Sequence, residues 1–114
     1  MTRSIEIVEV GPRDGLQNEA VLVSTADKAE LIRRCIAAGA RRIEVASFVN
    51  PRKVPQMADA EAVVAALGAV AGVTRIGLVL NLRGAERALA CGVDQLGAVA
   101  VASDEFGKIG RAHV

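Results

Sequence analysis

The sequence contains no tryptophan and no tyrosine, and phenylalanine occurs only twice in 114 residues. It therefore offers few aromatic surfaces on which nucleobases or sugar rings could stack. Charge of either sign is balanced, because 14 basic residues meet 13 acidic ones for a net charge of +1. Such a chain has no electrostatic attraction for a polyanion. No apolar run reaches the ~20 residues that span a bilayer. These absences argue against nucleic acid and a membrane as partners.

Histidine, cysteine and targeting signals are equally scarce. His113 is the only histidine, so the sequence shows neither a histidine-based triad nor a complete metal site. Cys35 and Cys91 each lie in a helical pattern ahead of a glycine, which is typical of small packing residues in a reduced protein. A disulfide or a nucleophile is the less favoured alternative. Strand-like residues begin almost directly after Met1 and leave no room for a signal peptide, which predicts a cytoplasmic protein.

Aliphatic residues are abundant, and 52% of the chain is hydrophobic. Continuous apolar runs, which are typical of buried parallel strands, alternate with segments of helical spacing that end at a glycine. This alternation predicts an α/β fold in which helices cover a parallel sheet. The predicted strands are Ser4–Val10, Arg41–Phe48, Arg75–Leu82 and Gln95–Ala102, and the predicted helices run from the Ser24 cap to Gly39, over Asp59–Leu67 and over Gly84–Cys91.

Polar side chains follow the end of each predicted strand. In α/β sheets and barrels the ligand site forms at the carboxyl ends of the strands. Four consecutive polar strand ends are more than a solvated surface requires, so we predict a functional site at this edge. The residues concerned are Arg13, Asp14, Ser47, Asn50, Asn81, Ser103 and Asp104.

The segment Pro12–Gly15 has two interpretations. Proline, aspartate and glycine are turn formers, which explains the segment as a plain turn. The three polar residues that follow Leu16 exceed what a turn requires, and they favour a site. A carboxylate such as Asp14 at the rim of a parallel sheet suits Mg²⁺ or Mn²⁺. The forked, permanently charged Arg13 suits a carboxylate or an enolate oxygen.

Glu44 lies inside an apolar strand, where an unpaired carboxylate would be costly to bury. We therefore expect it to meet a partner, either Arg13 across the neighbouring strand end or a metal-bound water. A purely structural ion pair is the alternative. The loop from Ser47 to Met57 is long and punctuated by proline, and such loops on the ligand side of α/β folds are often functional.

Three stretches carry a resemblance: VEVGPRDGLQNE, IEVASFVNPRKVPQM and LNLRGAERALACGVD. From about Ile5 to Phe106 the chain resembles the 3-hydroxy-3-methylglutaryl-CoA (HMG-CoA) lyases, members of a metal-dependent group of lyases and aldolases built on a TIM barrel. The Arg-Asp pair alone is shared with isopropylmalate and homocitrate synthases and with 4-hydroxy-2-oxovalerate aldolases. The extended strings are more specific to the lyases.

The resemblance implies the N-terminal half of a (β/α)8 barrel. It also implies cleavage of HMG-CoA to acetyl-CoA and acetoacetate with Mg²⁺ or Mn²⁺, a retro-Claisen reaction of leucine degradation and ketone-body formation. The substrate would be an acyl-CoA, and the full-length form would be a homo-oligomer.

The resemblance also implies roles for individual residues. Asp14 would be the first metal ligand, and Arg13 would hold the acyl oxygen and stabilise the enolate. Gln17 would contact the substrate or the enolate, and Glu44 would orient the arginine and the metal waters. The weaker candidates, for the pocket wall, are Ser47 and Asn81.

The family further uses a His-x-His pair, a downstream asparagine and a cysteine in a mobile glycine-rich loop, none of which can be located in this chain. We therefore expect residues 1–108 to be the N-terminal part of a barrel domain, without lyase activity by themselves. The last six residues, IGRAHV, resemble one reading frame of a sequencing-library adapter. We expect residues 109–114 to be a non-native tail.

Two further functions remain open at this point. One is a related aldolase or acyltransferase of the same barrel group. The other is a small α/β module that binds a partner or an acyl-CoA without catalysis.

Overall fold

A computed structural model describes residues 3–99, which form four strands and three helices. Strands and helices alternate along this part of the chain, as the hydrophobic pattern predicts. Two short turns, a π-helical one at Gly11–Gly15 and a 3-10 one at Pro55–Met57, follow the first two strands. The bounds are β1 Val8–Glu9, α1 Thr25–Ala37, β2 Arg42–Ser47, α2 Ala60–Leu67, β3 Thr74–Val79, α3 Leu82–Cys91 and β4 Gln95–Ala98.

The four strands form one parallel sheet in the order β1-β2-β3-β4. Each strand pairs with the next one along the chain, so the connections between them are simple β-α-β crossovers. The carboxyl ends of all four strands consequently lie at one edge of the sheet. The predicted α/β class is confirmed, and the functional site predicted at this edge stays a prediction.

Helix α1 begins and ends where its sequence predicts. The Oγ of Ser24 accepts a hydrogen bond from the backbone N–H of Asp27 at 3.1 Å and caps the first turn. Gly39 follows the helix with a φ of +112°, a conformation that side chains with a Cβ rarely adopt. These two signals set the length of the helix.

Two strands are shorter than predicted. β1 covers only Val8–Glu9, because it pairs with β2 alone and its preceding residues leave the sheet, with Ile5 90% and Ile7 79% exposed. β3 ends at Val79 rather than Leu82. Leu82 instead opens α3, because Asn81 caps that helix two residues before its predicted start at Gly84.

β4 is described to Ala98, whereas the sequence predicts a strand as far as Ala102. Residues 100–114 lie outside the described part of the chain. They include Ser103 and Asp104 at the predicted end of β4, and the whole predicted non-native tail with His113.

The core lies between the sheet and its helices. Ile43 and Val45 of β2 point toward the helices and are buried against them, together with Val63 of α2 and Ile32 of α1. The buried ring of Phe48 packs over β3 at Gly77, where a Cβ would lie 2.7 Å from the ring. A larger residue at Gly77 would displace this ring.

The sheet register shifts between Glu44 and Ala46. The strand therefore departs from strict alternation, and Ala46 and Ser47 are both buried at its end. Glu44 itself faces away from the helices. This leaves its carboxylate free to meet the turn that follows β1.

Candidate active site

The π-helical turn after β1 places the charged pair at the carboxyl edge of the sheet. The carbonyl of Val10 accepts hydrogen bonds from the backbone N–H groups of Arg13 at 3.1 Å and Asp14 at 2.7 Å. Pro12 is buried at the start of the turn, where its missing N–H leaves no donor unpaired. The turn-forming residues thus determine the backbone, and the side chains of Arg13 and Asp14 remain available for other contacts.

Arg13 is held by Glu44. Its Nε donates to Oε1 of Glu44 at 2.8 Å, and the two side chains are only 16% and 17% exposed. The expected partnership of the strand glutamate is therefore confirmed. A charge-assisted hydrogen bond of this kind orients the guanidinium group, and Nη2 has no partner within residues 3–99 and is available to a ligand.

Asp14 lies beside this pair and is open to solvent. Its side chain is 55% exposed, and Oδ1 lies 3.4 Å from Nη1 of Arg13. Asn18 donates from Nδ2 to the Asp14 carbonyl at 2.8 Å and to Oδ1 at 3.3 Å. The carboxylate is thus positioned by its neighbours and still accessible from outside.

Two buried polar atoms near this edge have no hydrogen-bond partner within residues 3–99. They are Oε1 of Gln17, just after the turn, and Oγ of Ser47, at the end of β2. Ser47 is fully buried, so its predicted role in the pocket wall requires a ligand that reaches beneath the surface. Buried polar groups without partners are uncommon in folded proteins and are frequent at functional sites.

Asn81 acts as the N-terminal cap of α3 in the structure. Its Oδ1 accepts the backbone N–H of Gly84 at 2.8 Å and caps α3. None of the hydrogen bonds and ion pairs found within residues 3–99 joins it to Arg13, Asp14 or Glu44. It lines a cleft between the loop after β2 and the start of α3.

A buried lysine connects the loops around the site, and the sequence reasoning did not identify it. Lys28 donates from Nζ to the carbonyl of Gln56 and to Oδ1 of Asp59. Gln56 in turn donates from Nε2 to the carbonyl of Glu19 at 2.9 Å. The spacing could have indicated it: Lys28 lies four residues before the buried Ile32, and residues at this spacing share one face of a helix.

The carboxylate of Asp59 completes this network. Its Oδ2 accepts the Thr25 hydroxyl at 2.6 Å, while Oδ1 lies 2.5 Å from Lys28 Nζ. Burial tends to raise the pKa of Asp59, but the hydrogen bonds from Lys28 and Thr25 lower it below its ordinary value. The start of α1 is thereby tied to the start of α2 and to the loop between β2 and α2.

Arg87 holds the other end of that loop. Its Nε and Nη2 donate to Glu61 at 2.8 and 2.7 Å, and Nη1 donates to the carbonyl of Val49 at 3.0 Å. The guanidinium group also lies 5.6 Å from the centroid of the Phe48 ring. The hydrogen bonds from Arg87 lower the pKa of Glu61, so the pair stays charged across the neutral range.

The donor set at the edge matches only part of a metal site. Residues 3–99 contain no group of three histidine, cysteine, aspartate or glutamate side chains that could hold a metal ion. Asp14 offers an exposed carboxylate oxygen, the ligand type that Mg²⁺ and Mn²⁺ prefer. The described residues could therefore supply one ligand to such an ion.

Comparison with known proteins identifies the relatives of this chain. The sequence matches the HMGL-like family over residues 4–110. The chain belongs to the HMGL-like family. It is 45% identical over 108 residues to the 3-hydroxy-3-isohexenylglutaryl-CoA/hydroxy-methylglutaryl-CoA lyase of Pseudomonas aeruginosa, covering 95% of this chain and 36% of the relative. It is 46% identical to the cytoplasmic 3-hydroxy-3-methylglutaryl-CoA lyase of Homo sapiens over 104 residues, or 91% of this chain and 28% of that protein.

Solved structures of HMGL-like enzymes share the fold. The HMG-CoA lyase of Brucella melitensis superposes with a TM-score of 0.89 at 44% identity, over 96% of this chain and 38% of that one. The HMG-CoA lyase of Acinetobacter baumannii, solved with coenzyme A and 3-methylmalate, gives 0.88 at 33% identity, over 99% of this chain and 41% of that one. The four strands and their helices match the N-terminal part of the TIM barrel in these lyases.

The chain spans about a third of the length of the curated relatives that it matches. Some of these relatives are named as cytoplasmic lyases and others as mitochondrial lyases. Membership of the family therefore does not indicate a compartment, and the cytoplasmic location stays a prediction.

Among the described helices, none combines the length and the apolar character needed to cross a membrane. Cys35 and Cys91 are partly buried free thiols, and burial raises the pKa of each.

Proposed function

We propose that this chain forms the N-terminal part of an enzyme that cleaves 3-hydroxy-3-methylglutaryl-CoA to acetyl-CoA and acetoacetate. The observation that supports it most directly is the 2.8 Å contact between Arg13 and Glu44 beside the exposed Asp14. A structural ion pair does not require an open carboxylate next to it. A cation held in place at the ligand edge of a barrel suits chemistry that develops negative charge.

In the proposed reaction the bond between C2 and C3 of the acyl group breaks after the C3 hydroxyl loses its proton. The electron pair of that bond passes to C2 and the thioester carbonyl, which forms the enolate of acetyl-CoA, and C3 becomes the ketone carbon of acetoacetate. Arg13 donates hydrogen bonds from its Nη atoms to the thioester oxygen as its charge grows. A proton then returns to C2. An interaction that strengthens along this path lowers the activation free energy of the cleavage reaction.

Glu44 positions Arg13 in this scheme. By accepting the Nε hydrogen it aligns the guanidinium plane before the substrate binds, so that little reorganisation is needed during the reaction. Gln17 contributes a buried side-chain amide next to the turn, and its unpaired Oε1 is available to a substrate hydroxyl. Ser47 contributes a buried hydroxyl at the end of β2, which we assign to the wall of the substrate pocket.

Asp14 provides one ligand to a divalent cation in the proposed enzyme. When bound, Mg²⁺ or Mn²⁺ would polarise the hydroxyl and carboxylate oxygens of the substrate. The exposed carboxylate, steadied by Asn18, suits this role better than Glu44, whose Oε1 is already engaged by Arg13. The 114-residue chain alone supplies one such ligand in its described part, and we expect negligible lyase turnover from it.

Two assays test this proposal. Incubation of the purified 114-residue chain with Mg²⁺ and 3-hydroxy-3-methylglutaryl-CoA should release no acetoacetate above background, and turnover comparable with a whole lyase would contradict the expectation. In a chimera, residues 5–99 of this chain replace the matching segment of the Pseudomonas aeruginosa lyase. The folded chimera should cleave the substrate.

The chimera also separates this function from its alternatives. Arg13→Gln should abolish cleavage, whereas Arg34→Gln, which removes a guanidinium group from the exposed surface of α1, should leave it intact. A folded chimera that transfers or condenses acyl groups but does not cleave the lyase substrate would favour the aldolase or acyltransferase alternative. A folded chimera with no activity would favour the binding module.

A further inference from the structure

Gln56 joins two motifs of the sequence, VPQM and GPRDGLQNE, that lie far apart along the chain. Its Nε2 donates a hydrogen bond to the carbonyl of Glu19 at 2.9 Å, across 37 positions of the sequence. No step of the proposed reaction uses a residue of VPQM, although Gln56 contacts the segment that carries Asp14.

The backbone of Gln56 is held in place from the side of α1. Nζ of Lys28 donates to the carbonyl of Gln56 and to Oδ1 of Asp59, and Lys28 is only 5% exposed. The next residue, Met57, is buried. The short turn at Pro55–Met57 is thereby anchored to the fold, and the amide group of Gln56 extends from a fixed backbone.

The other end of this hydrogen bond lies in the turn that follows the charged pair. The N–H of Glu19 donates to the carbonyl of Leu16 at 3.2 Å, which closes a turn containing Gln17 and Asn18. Nδ2 of Asn18 donates to the carbonyl of Asp14 at 2.8 Å and to its Oδ1 at 3.3 Å. Fixing Glu19 therefore restricts the backbone from which the Asn18 side chain reaches Asp14.

The Asp14 carboxylate has little other support. Within residues 3–99 its Oδ1 is contacted by Asn18 at 3.3 Å and by Arg13 at 3.4 Å, and both distances are long for hydrogen bonds. A cation that binds a loosely held carboxylate must also immobilise it, which costs conformational entropy. A carboxylate that is already positioned by its neighbours loses less freedom on binding, and its affinity for the cation is higher.

We propose that Gln56 is a positioning residue for the divalent cation that Asp14 binds. It acts through Glu19 and Asn18, and Lys28 holds it in place. The inference rests on the proposed function, in which Asp14 provides one ligand to Mg²⁺ or Mn²⁺. The amide of Gln56 does not touch the cation. It limits the motion of the segment that steadies the ligand.

Mn²⁺ titration of the folded chimera tests the inference, because the electron paramagnetic resonance signal of free Mn²⁺ reports binding without substrate turnover. Gln56→Met keeps the length of the side chain and loses the amide donor. It should weaken Mn²⁺ binding by about three- to tenfold, the effect of one lost hydrogen bond. Gln95→Met is the matched control, because Gln95 is the first residue of β4, at the opposite edge of the sheet. Far-UV circular dichroism checks that both variants are folded.

A double-mutant cycle distinguishes positioning from a purely structural role. Asn18→Ala removes the amide that contacts Asp14 and should weaken Mn²⁺ binding by about tenfold. Because Gln56 acts through Asn18, Gln56→Met should have little further effect in the Asn18→Ala background. A purely structural Gln56 would change the free energy of unfolding and leave the Mn²⁺ affinity of each folded variant unchanged.

Amide hydrogen exchange in the 114-residue chain, followed by NMR, requires neither metal nor substrate. Gln56→Met should accelerate exchange at the N–H of Glu19, because this N–H is protected only while its turn stays closed onto Leu16. Gln95→Met should leave this exchange rate unchanged. Equal exchange rates at Glu19 in the two variants would contradict the proposed restriction of the turn.

Two results of the Mn²⁺ titrations would overturn the inference: equal affinities in Gln56→Met and Gln95→Met, or fully additive losses from Gln56→Met and Asn18→Ala. Both are measured against an unaltered chimera that binds Mn²⁺ and cleaves the substrate, so the proposed function stands when the inference fails. Failure of the proposed function appears instead in the unaltered chimera, as Mn²⁺ binding without cleavage. An unaltered folded chimera that binds no Mn²⁺ would overturn both.

Discussion

The guanidinium Nε of Arg13 and the carboxylate Oε1 of Glu44 are 2.8 Å apart, although the two residues are separated by 31 positions in the sequence. The contact joins the turn after β1 to the middle of β2. It aligns a cation at the ligand edge and satisfies a carboxylate that faces away from the helices. One interaction therefore serves both the fold and the proposed chemistry.

Replacing Glu44 by glutamine tests the positioning role. The amide keeps the shape of the side chain but loses the charge that orients Arg13. We expect kcat of the chimera to fall by about 10- to 100-fold, the range found when a partner of an active-site group is removed, with a smaller change in KM. Glu30→Gln, on the exposed face of α1, is the control. An unchanged kcat in the folded Glu44 variant would assign the pair a structural role only.

Replacing Lys28 by methionine should loosen the loop between β2 and α2. The change leaves the carboxylate of Asp59 without its cation and the carbonyl of Gln56 without its donor. We expect a loss of about 2–3 kcal/mol in the free energy of unfolding, measured by urea denaturation. Amide hydrogen exchange should accelerate around residues 54–58. Lys53→Met, at an exposed position of the same loop, should change neither quantity.

Acid should destabilise the chain through carboxyl groups whose pKa is lowered in the folded state. Hydrogen bonds from Arg87 lower the pKa of Glu61, and those from Arg75 lower the pKa of Asp94. A group with a lowered pKa in the folded state stabilises it above the unfolded pKa, which is about 4 for these side chains. This contribution is lost as the pH falls through the folded pKa.

Urea midpoints measured from pH 7 to pH 3 test this pH dependence. The midpoint should be steady near neutrality and should fall below about pH 4. Glu61→Gln removes one of the titrating groups, so its curve should begin lower and fall less steeply. A midpoint that rises on acidification would contradict the assigned direction.

Introducing a methyl group at Gly84 should strain the packing of α3 on the loop after β2. A Cβ at this position would overlap the carbonyl oxygen of Phe48, which is backbone and cannot rotate away. We expect Gly84→Ala to lower the free energy of unfolding by about 1–3 kcal/mol, despite the higher helix propensity of alanine. Gly15→Ala is the matched control, because no atom lies within 4 Å of a Cβ built there. Equal stabilities of the two variants would refute the overlap.

Much of the architecture follows from local patterns. The Ser24 cap and Gly39 bound α1, and apolar runs separated by helical segments specify parallel strands. The need of Glu44 for a partner was also predictable, because an isolated carboxylate in an apolar strand is costly. Local patterns were less accurate at the strand ends. There Asn81 caps α3 instead of extending β3, because its side chain satisfies the N–H of Gly84.

The amino-acid sequence by itself determined the β/α alternation, the turn at Pro12–Gly15 and the chemical types available at the edge of the sheet. These depend on residues close together in the chain. Only the tertiary structure decided that Lys28 joins three segments and that Arg52 and Arg83 border one cleft. Those relationships depend on how helices and loops from distant segments pack across the sheet, which local spacing does not encode.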